Sequence, residues 1–478
     1  MRPWVPLLLL ACAGPDPEQR PDEPVCVQAT VVSTDPGGET MAVGVPESEV
    51  CVAVTAGSPL TLDVRWTTAE PGTSEVEFHE PGGPTWRIGD DTLTTDHAVT
   101  LYGLHADTDV TVAARSELAD GSVVHAEGMV VRTGSLPPWV PEAEVLTHDK
   151  ARTQPGWTLL NLSNRDADWP PTAVAYDADG RPVWFETTSD GEDSRGDLDV
   201  SLTPDGTVLV GASGSGIRAV ELSWAGEVLW TGPEQSPLLH HHHAEKQADG
   251  SYVMLQHDPA PDGDATLDRI VRYAADHSVL WEWSPFDHLD LPDPLPDDWM
   301  HSNAVTITDD VVYLSCRDRD LIYGIDPHTG DVLHALGRGG DFPLRSGRWF
   351  IGQHDPELQA DGSWLIYDNR GLGWSHSRVV RMGINGGWAE ILWEFPGDAE
   401  LNDPWYTEDW SSGIWGDADA LPNGNVLVGA GSRDDGDESR VFEVTREGEV
   451  VWAIRWPDQP GIVGLYRAER IDVPLQRL

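Results

Sequence analysis

The stretch Ala225-Gly226-Glu227-Val228-Leu229-Trp230 decides the fold, because it comes back. A two-residue turn followed by a short strand-like run ending in an aromatic recurs five more times: Asp179-Gly180 with Trp184, Asp276-His277 with Trp281, Thr329-Gly330 with His334, Gly386-Gly387 with Trp393, and Glu447-Gly448 with Trp452. By subtraction, the six aromatic ends are 46, 51, 53, 59 and 59 residues apart. Four short strands per copy at that spacing fit propeller blades of roughly 40–50 residues plus loops. The aromatic ends read as packing between blades, since each buries a large area.

Each blade's first strand lies nearest the axis. These strands are expected near Asp197, His241, His301, Gln353 and Gly416, so the first blade lacks one. The run GIVGLYRAERIDV (461–473) follows the sixth aromatic end, Trp452, and can supply it. Closure by strands from both ends of the chain removes the exposed edges of an open array. The fold class expected is therefore all-β: a six-bladed β-propeller over 155–478.

Working outward, residues 26–134 carry short alternating runs (TLDVRWTT, SEVEFHE, DVTVAARSEL) between turn clusters, the pattern of a small β-sandwich. The segment Val99–Val112 resembles the corner motif of fibronectin type III domains, with Ala106 and Val110 where that motif has Pro and Tyr. Residues 135–154, opening on SLPPWVPEAE, read as a linker. At the start of the chain, residues 1–11 read as a lipoprotein-type signal peptide with Cys12 as the lipidated residue, and 12–25 as an acidic, Pro-rich tether. An ordinary secretion signal is the alternative, and both place the protein outside the cytoplasm, in the periplasm or at the cell surface. An exported chain permits a Cys26–Cys51 disulfide and leaves Cys316 as a buried thiol.

The formal net charge is −51, and lysine occurs only at Lys150 and Lys246. Nucleic acid is excluded as a partner, because binding it needs a basic patch. An anionic substrate is repelled at long range, so any anion site has to be built locally from Arg and His.

Three histidines occupy matching places in the repeats. Counting eight residues back from Gly250, Asp309 and Gly362 lands on His242, His301 and His354. A one-residue shift favours His241 over His242 within the run His240–His243. Asn303 lies two residues after His301, on the same strand face, and the next strand brings Arg317. Equivalent positions in a closed array lie at similar heights around one axis, so these groups are expected to share a pocket.

Four motifs, DDWMHSNAVTI (297–307), VYLSCRDRDLIYGIDPHTGDVLHALG (312–337), GQHDPELQADGSWLIYDN (352–369) and ALPNGNVLVGAGS (420–432), resemble the bacterial arylsulfate sulfotransferase family that works without a nucleotide donor. The resemblance covers about 155–478. It implies transfer of a sulfuryl group from an aryl sulfate to a phenolic acceptor, with no cofactor and no metal. It implies His354 as the transiently sulfated nucleophile, with His301, Asn303 and Arg317 donating to the sulfuryl oxygens and His241 or His242 as acid/base. The early motif departs from the family pattern: His-His-His-Ala-Glu stands where His-His-Asp is frequent. Some of the 22 tryptophans are expected to stack the aryl ring.

Two other readings stay open. One is a non-catalytic, membrane-tethered propeller that binds a ligand or partner protein. The other is a metal hydrolase built on the His run and nearby Asp residues. No oligomeric state follows from the sequence.

Overall fold

The computed structural model describes residues 24–34, 40–162, 170, 172–187, 198–212, 219–233, 240–260, 263, 265–369, 376–396, 410–431, 439–456 and 464–478. The expected signal peptide, Cys12 and nearly all of the tether lie outside the described residues. The chain divides into two compact units, one ending at Leu136 and joined by Pro474–Leu478, the other spanning Pro137–Val473. No helix among the described residues is long and apolar enough to cross a membrane.

The first unit is a single antiparallel sheet that closes on itself. Thr40–Thr55 pairs with both Val25–Thr34 and Ser58–His79, and the last strand, Gln476–Arg477, adds to Trp86–Leu101. Alternation does the packing: in Asp109–Glu117 every second residue is buried, putting Val110, Val112 and Ala114 on the core with Trp66 and Phe78. Cys26 and Cys51 face each other in register and are bonded, and Cys316 is free and buried.

The second unit is a six-bladed propeller. Five blades run in sequence order from the inside outward, starting at Leu198–Leu202, His240–Lys246, Ser302–Ile307, His354–Leu358 and Asp417–Ala420. The remaining blade takes its innermost strand, Ala468–Ile471, from the far end of the chain, where it pairs with Trp157–Leu162. These six inner strands neighbour one another in a closed circle. The expected linker is partly a propeller strand: Glu144–His148 pairs with Val450–Arg455 and caps the last blade. Its Pro-rich beginning drew attention away from the EVLTH run (144–148) that follows.

The repeated tryptophans clamp blade to blade. Trp184 donates its indole N–H to the Trp224 carbonyl (3.1 Å), Trp230 to Ala275 (3.0 Å), Trp281 to Pro327 (2.9 Å) and Trp393 to Arg446 (2.8 Å). Trp452 donates to Ala178 (2.9 Å), completing the circle. Each acceptor lies at a turn of the next blade. A buried indole N–H left unpaired would be costly, so the bond fixes where each ring sits. His334 stands at this place in the remaining blade and packs against Tyr313 and Phe342.

Candidate active site

The site is built where three inner strands break register. The innermost strands beginning at His240, Ser302 and His354 each carry an irregularity at their start, between His240 and Ala244, Ser302 and Ala304, and His354 and Glu357. A bulge re-aims the side chains next to it. The backbone there is strained: φ is 58° at His242, 46° at His301, 41° at Asp355 and 63° at Trp415. A non-glycine residue held in this region costs about 1–3 kcal/mol, and such residues cluster at functional sites.

His301, Arg317 and His242 come together as expected. Arg317 lies in a single 3-10 turn (Arg317–Arg319) directly after its strand. Its Nη1 is 3.0 Å from His301 Nε2. Guanidinium only donates, so Nε2 is the acceptor and the His301 proton sits on Nδ1, facing Asp298 Oδ2 at 2.5 Å. The His242 ring stands edge-on to His301 with centroids 5.1 Å apart, and to Tyr466 at 5.7 Å.

His354 is 1% exposed and held in one tautomer. The Trp415 amide donates to Nε2 (3.2 Å), so Nδ1 carries the proton and donates to Asn369 Oδ1 (2.8 Å). The Asn369 amide is itself oriented, donating to the Ser412 and Trp415 carbonyls. Burial, with Arg317 and His301 nearby, brings the His354 basicity down to about 3, so the ring is neutral at ordinary pH. Burial also holds His242 well below the usual histidine range, helped by His241, His301, His354 and Arg317.

His241 and His242 do different jobs. Their Nδ1 atoms are 2.8 Å apart. His242 faces His301 and Tyr466, while His241 stacks on His257 (4.3 Å) and places Nε2 3.1 Å from Asp268 Oδ1. Burial alone would raise the Asp268 carboxyl, but His241 and the Ser302 amide outweigh it and keep it low. Asp268 thus supplies, from another strand, the carboxylate that the early motif lacks in sequence. A cavity of about 450 Å³ opens here, lined by His241, His242, His257, Asp268, Asp298 and His301 among others.

Two expectations are corrected. Asn303 does not face this cavity: it is fully buried, and its amide donates to the Gln353 carbonyl (2.7 Å), tying its strand to the one that carries His354. The bulge at Ser302/Ala304 breaks the two-residue alternation that would have put Asn303 beside His301. Among the described residues, those lining the cavity include no tryptophan, since the repeat indoles are committed to the blade clamps. Sequence reading gave no role to Asp268, His257, Asn369, Tyr466 or Asp298. One signal was available: Gln256-His257-Asp258-Pro259 repeats Gln353-His354-Asp355-Pro356 letter for letter.

Comparison with known proteins gives one family. Residues 142–378 match the arylsulfotransferase (ASST) family. No curated protein matches the chain significantly. Among solved structures, a protein of unknown function from Bacteroides caccae is 15% identical, covering 66% of this chain and all of that one, with a TM-score of 0.45. The β-propeller domain of Cps50 (Swd1) from Myceliophteria thermophila is 13% identical, over 65% of this chain and 86% of that one, with a TM-score of 0.35. Neither likeness bears on the chemistry.

Proposed function

We propose that this chain, whose residues 142–378 match the arylsulfotransferase (ASST) family, carries a sulfuryl group from an aryl sulfate ester to a phenol in two steps through sulfated His354. In the first step the Nε2 lone pair attacks sulfur, the S–O bond to the aryl group breaks, and the phenolate leaves with a proton. In the second, an acceptor phenol loses its proton, attacks the same sulfur and frees His354. Transfer of this kind spreads charge over the non-bridging oxygens. Arg317 supplies positive charge beside His301, and the Trp415 amide, released when Nε2 reacts, becomes a further donor to those oxygens.

The observation that carries this reading is the tautomer of His354. Asn369 holds the proton on Nδ1, which leaves Nε2 as a neutral nucleophile. His242 is the acid/base, facing the cavity, with His241 and Asp268 behind it. Binding of the monoanionic donor supplies the opposite charge that lets His242 take up the proton the leaving phenolate needs. Asn303 acts as a positioning residue through the Gln353 backbone.

The test uses a chromogenic aryl sulfate and a phenol acceptor. Turnover lost in His354→Asn, together with a sulfuryl adduct on His354 after donor alone, supports the reading. Absence of turnover across a range of aryl sulfates favours a ligand-binding propeller instead.

A specific observation favours one other reading. His241 Nε2 and His257 Nδ1 lie 3.1 and 3.9 Å from Asp268 Oδ1, close enough for the three groups to share one ion. Two histidines and a carboxylate suit a transition metal with open positions. Activity abolished by a chelator and restored by zinc points to a hydrolase of that kind. Export and lipidation at Cys12 belong to the proposal as well. The Cys26–Cys51 bond supports an oxidising compartment, and membrane fractionation of wild type against Cys12→Ala tests the anchor.

A further inference from the structure

A second cluster, of carboxylates, lies on the inner strands of three consecutive blades, beginning at the residue after His354. Asp355 and Glu357 come from His354–Leu358, Asp417 and Asp419 from Asp417–Ala420, and Glu469 from Ala468–Ile471. Asp417 and Asp419 are two residues apart in a strand of unbroken register, the spacing that puts side chains on one face. One carboxylate oxygen from each of Asp355, Asp417 and Asp419 lies within 4.8 Å of the others.

Ordinary structural duties use only part of this charge. Asp417 Oδ2 accepts the Ala468 amide at 3.1 Å, and Glu469 Oε2 accepts the Leu202 amide at 2.8 Å. Arg467 contacts Asp355 Oδ1 at 2.6 Å and Asp199 Oδ1 at 3.2 Å. Asp417 is 2% exposed, and its other oxygen, Oδ1, is buried with no hydrogen-bond donor. An unpaired carboxylate oxygen at such depth is expensive.

We propose that Asp355, Asp417 and Asp419, with Glu357 beside them, hold a calcium ion between the inner strands of the propeller. The donor set is all oxygen, which suits a hard cation. Calcium–oxygen distances of about 2.3–2.6 Å let two ligands stand up to about 5 Å apart, which the cluster already satisfies. Magnesium demands shorter bonds and a stricter octahedron. Like charges held this close repel: one carboxylate oxygen from each of Asp355, Asp417 and Asp419 lies within 4.8 Å of the others. A divalent ion relieves that repulsion. It also fixes Asp355, the residue after His354, without touching the transfer chemistry.

The experiment uses the full chain, stripped with EGTA and then exposed to calcium alone. Retention of about one calcium per chain after desalting, with a melting temperature higher in calcium than in EGTA, is the expected result. Asp419→Asn should weaken calcium binding by about tenfold or more and remove the calcium-dependent shift in melting temperature. Glu357→Gln serves as the second variant if Asp419→Asn does not fold. No calcium retained, with identical melting in calcium and EGTA, overturns the proposal. So does binding that survives both substitutions, because the ion would then lie elsewhere. Neither result depends on whether the protein transfers sulfuryl groups.

Discussion

In the proposed reaction, the chemistry of His354 is set by a neighbour, Asn369, that fixes its tautomer. Without Asn369, the imidazole is free to place its proton on Nε2 and lose its nucleophile. Asn369→Ala should lower turnover by about 10–100-fold, the usual effect of removing an orienting partner. Steady-state rates against donor concentration check it: a role in orientation lowers kcat with little change in KM. Asn369→Asp, which keeps an acceptor for the Nδ1 proton, should recover part of the loss. The matching places of His242, His301 and His354 were legible in the sequence, because repeats preserve position. The partners were not legible. Asn369 follows the strand Trp364–Asp368 and Asp268 lies on the third strand of the His241 blade, and only the fold shows which ring nitrogen each one faces.

At the scale of the element, the repeated turn-strand-Trp unit is a joint as well as a filler. Trp452 is fully buried and donates across to Ala178, whereas Trp230 is half-buried on its blade. Trp452→Ala should therefore destabilise by about 3–5 kcal/mol, the range for deleting a large buried aromatic. Trp230→Ala should cost clearly less. Urea unfolding followed by tryptophan fluorescence measures both, and equal losses would count against the joint. The sequence showed these residues as core, which was right for their area. It did not show the bond each makes, because the acceptor is a carbonyl in the following copy. The bulges were equally invisible: an extra residue in an inner strand leaves the apolar pattern almost unchanged while turning Asn303 away from His301. The linker was misjudged for a related reason. Pro-rich composition marks where a chain leaves one unit, but says nothing of the strand that begins a few residues later.

For the whole molecule, blade number and closure were readable because six aromatic ends and one strand in excess leave a single arrangement without open edges. The last propeller strand, Ala468–Ile471, is the inner edge of the blade that contains Trp157–Leu162. A chain ending at residue 464 should lose the cooperative unfolding of the full protein, which calorimetry would register as a broad or split transition. A truncated chain with one sharp transition would show that the circle can do without this strand. The same arrangement bears on biosynthesis. While the ribosome is still adding residues 150–460, the first and last propeller strands cannot yet meet, so the nascent propeller stays incompletely folded until residues 468–471 have been made. Under the export proposed above, that delay keeps the chain threadable through a secretory channel.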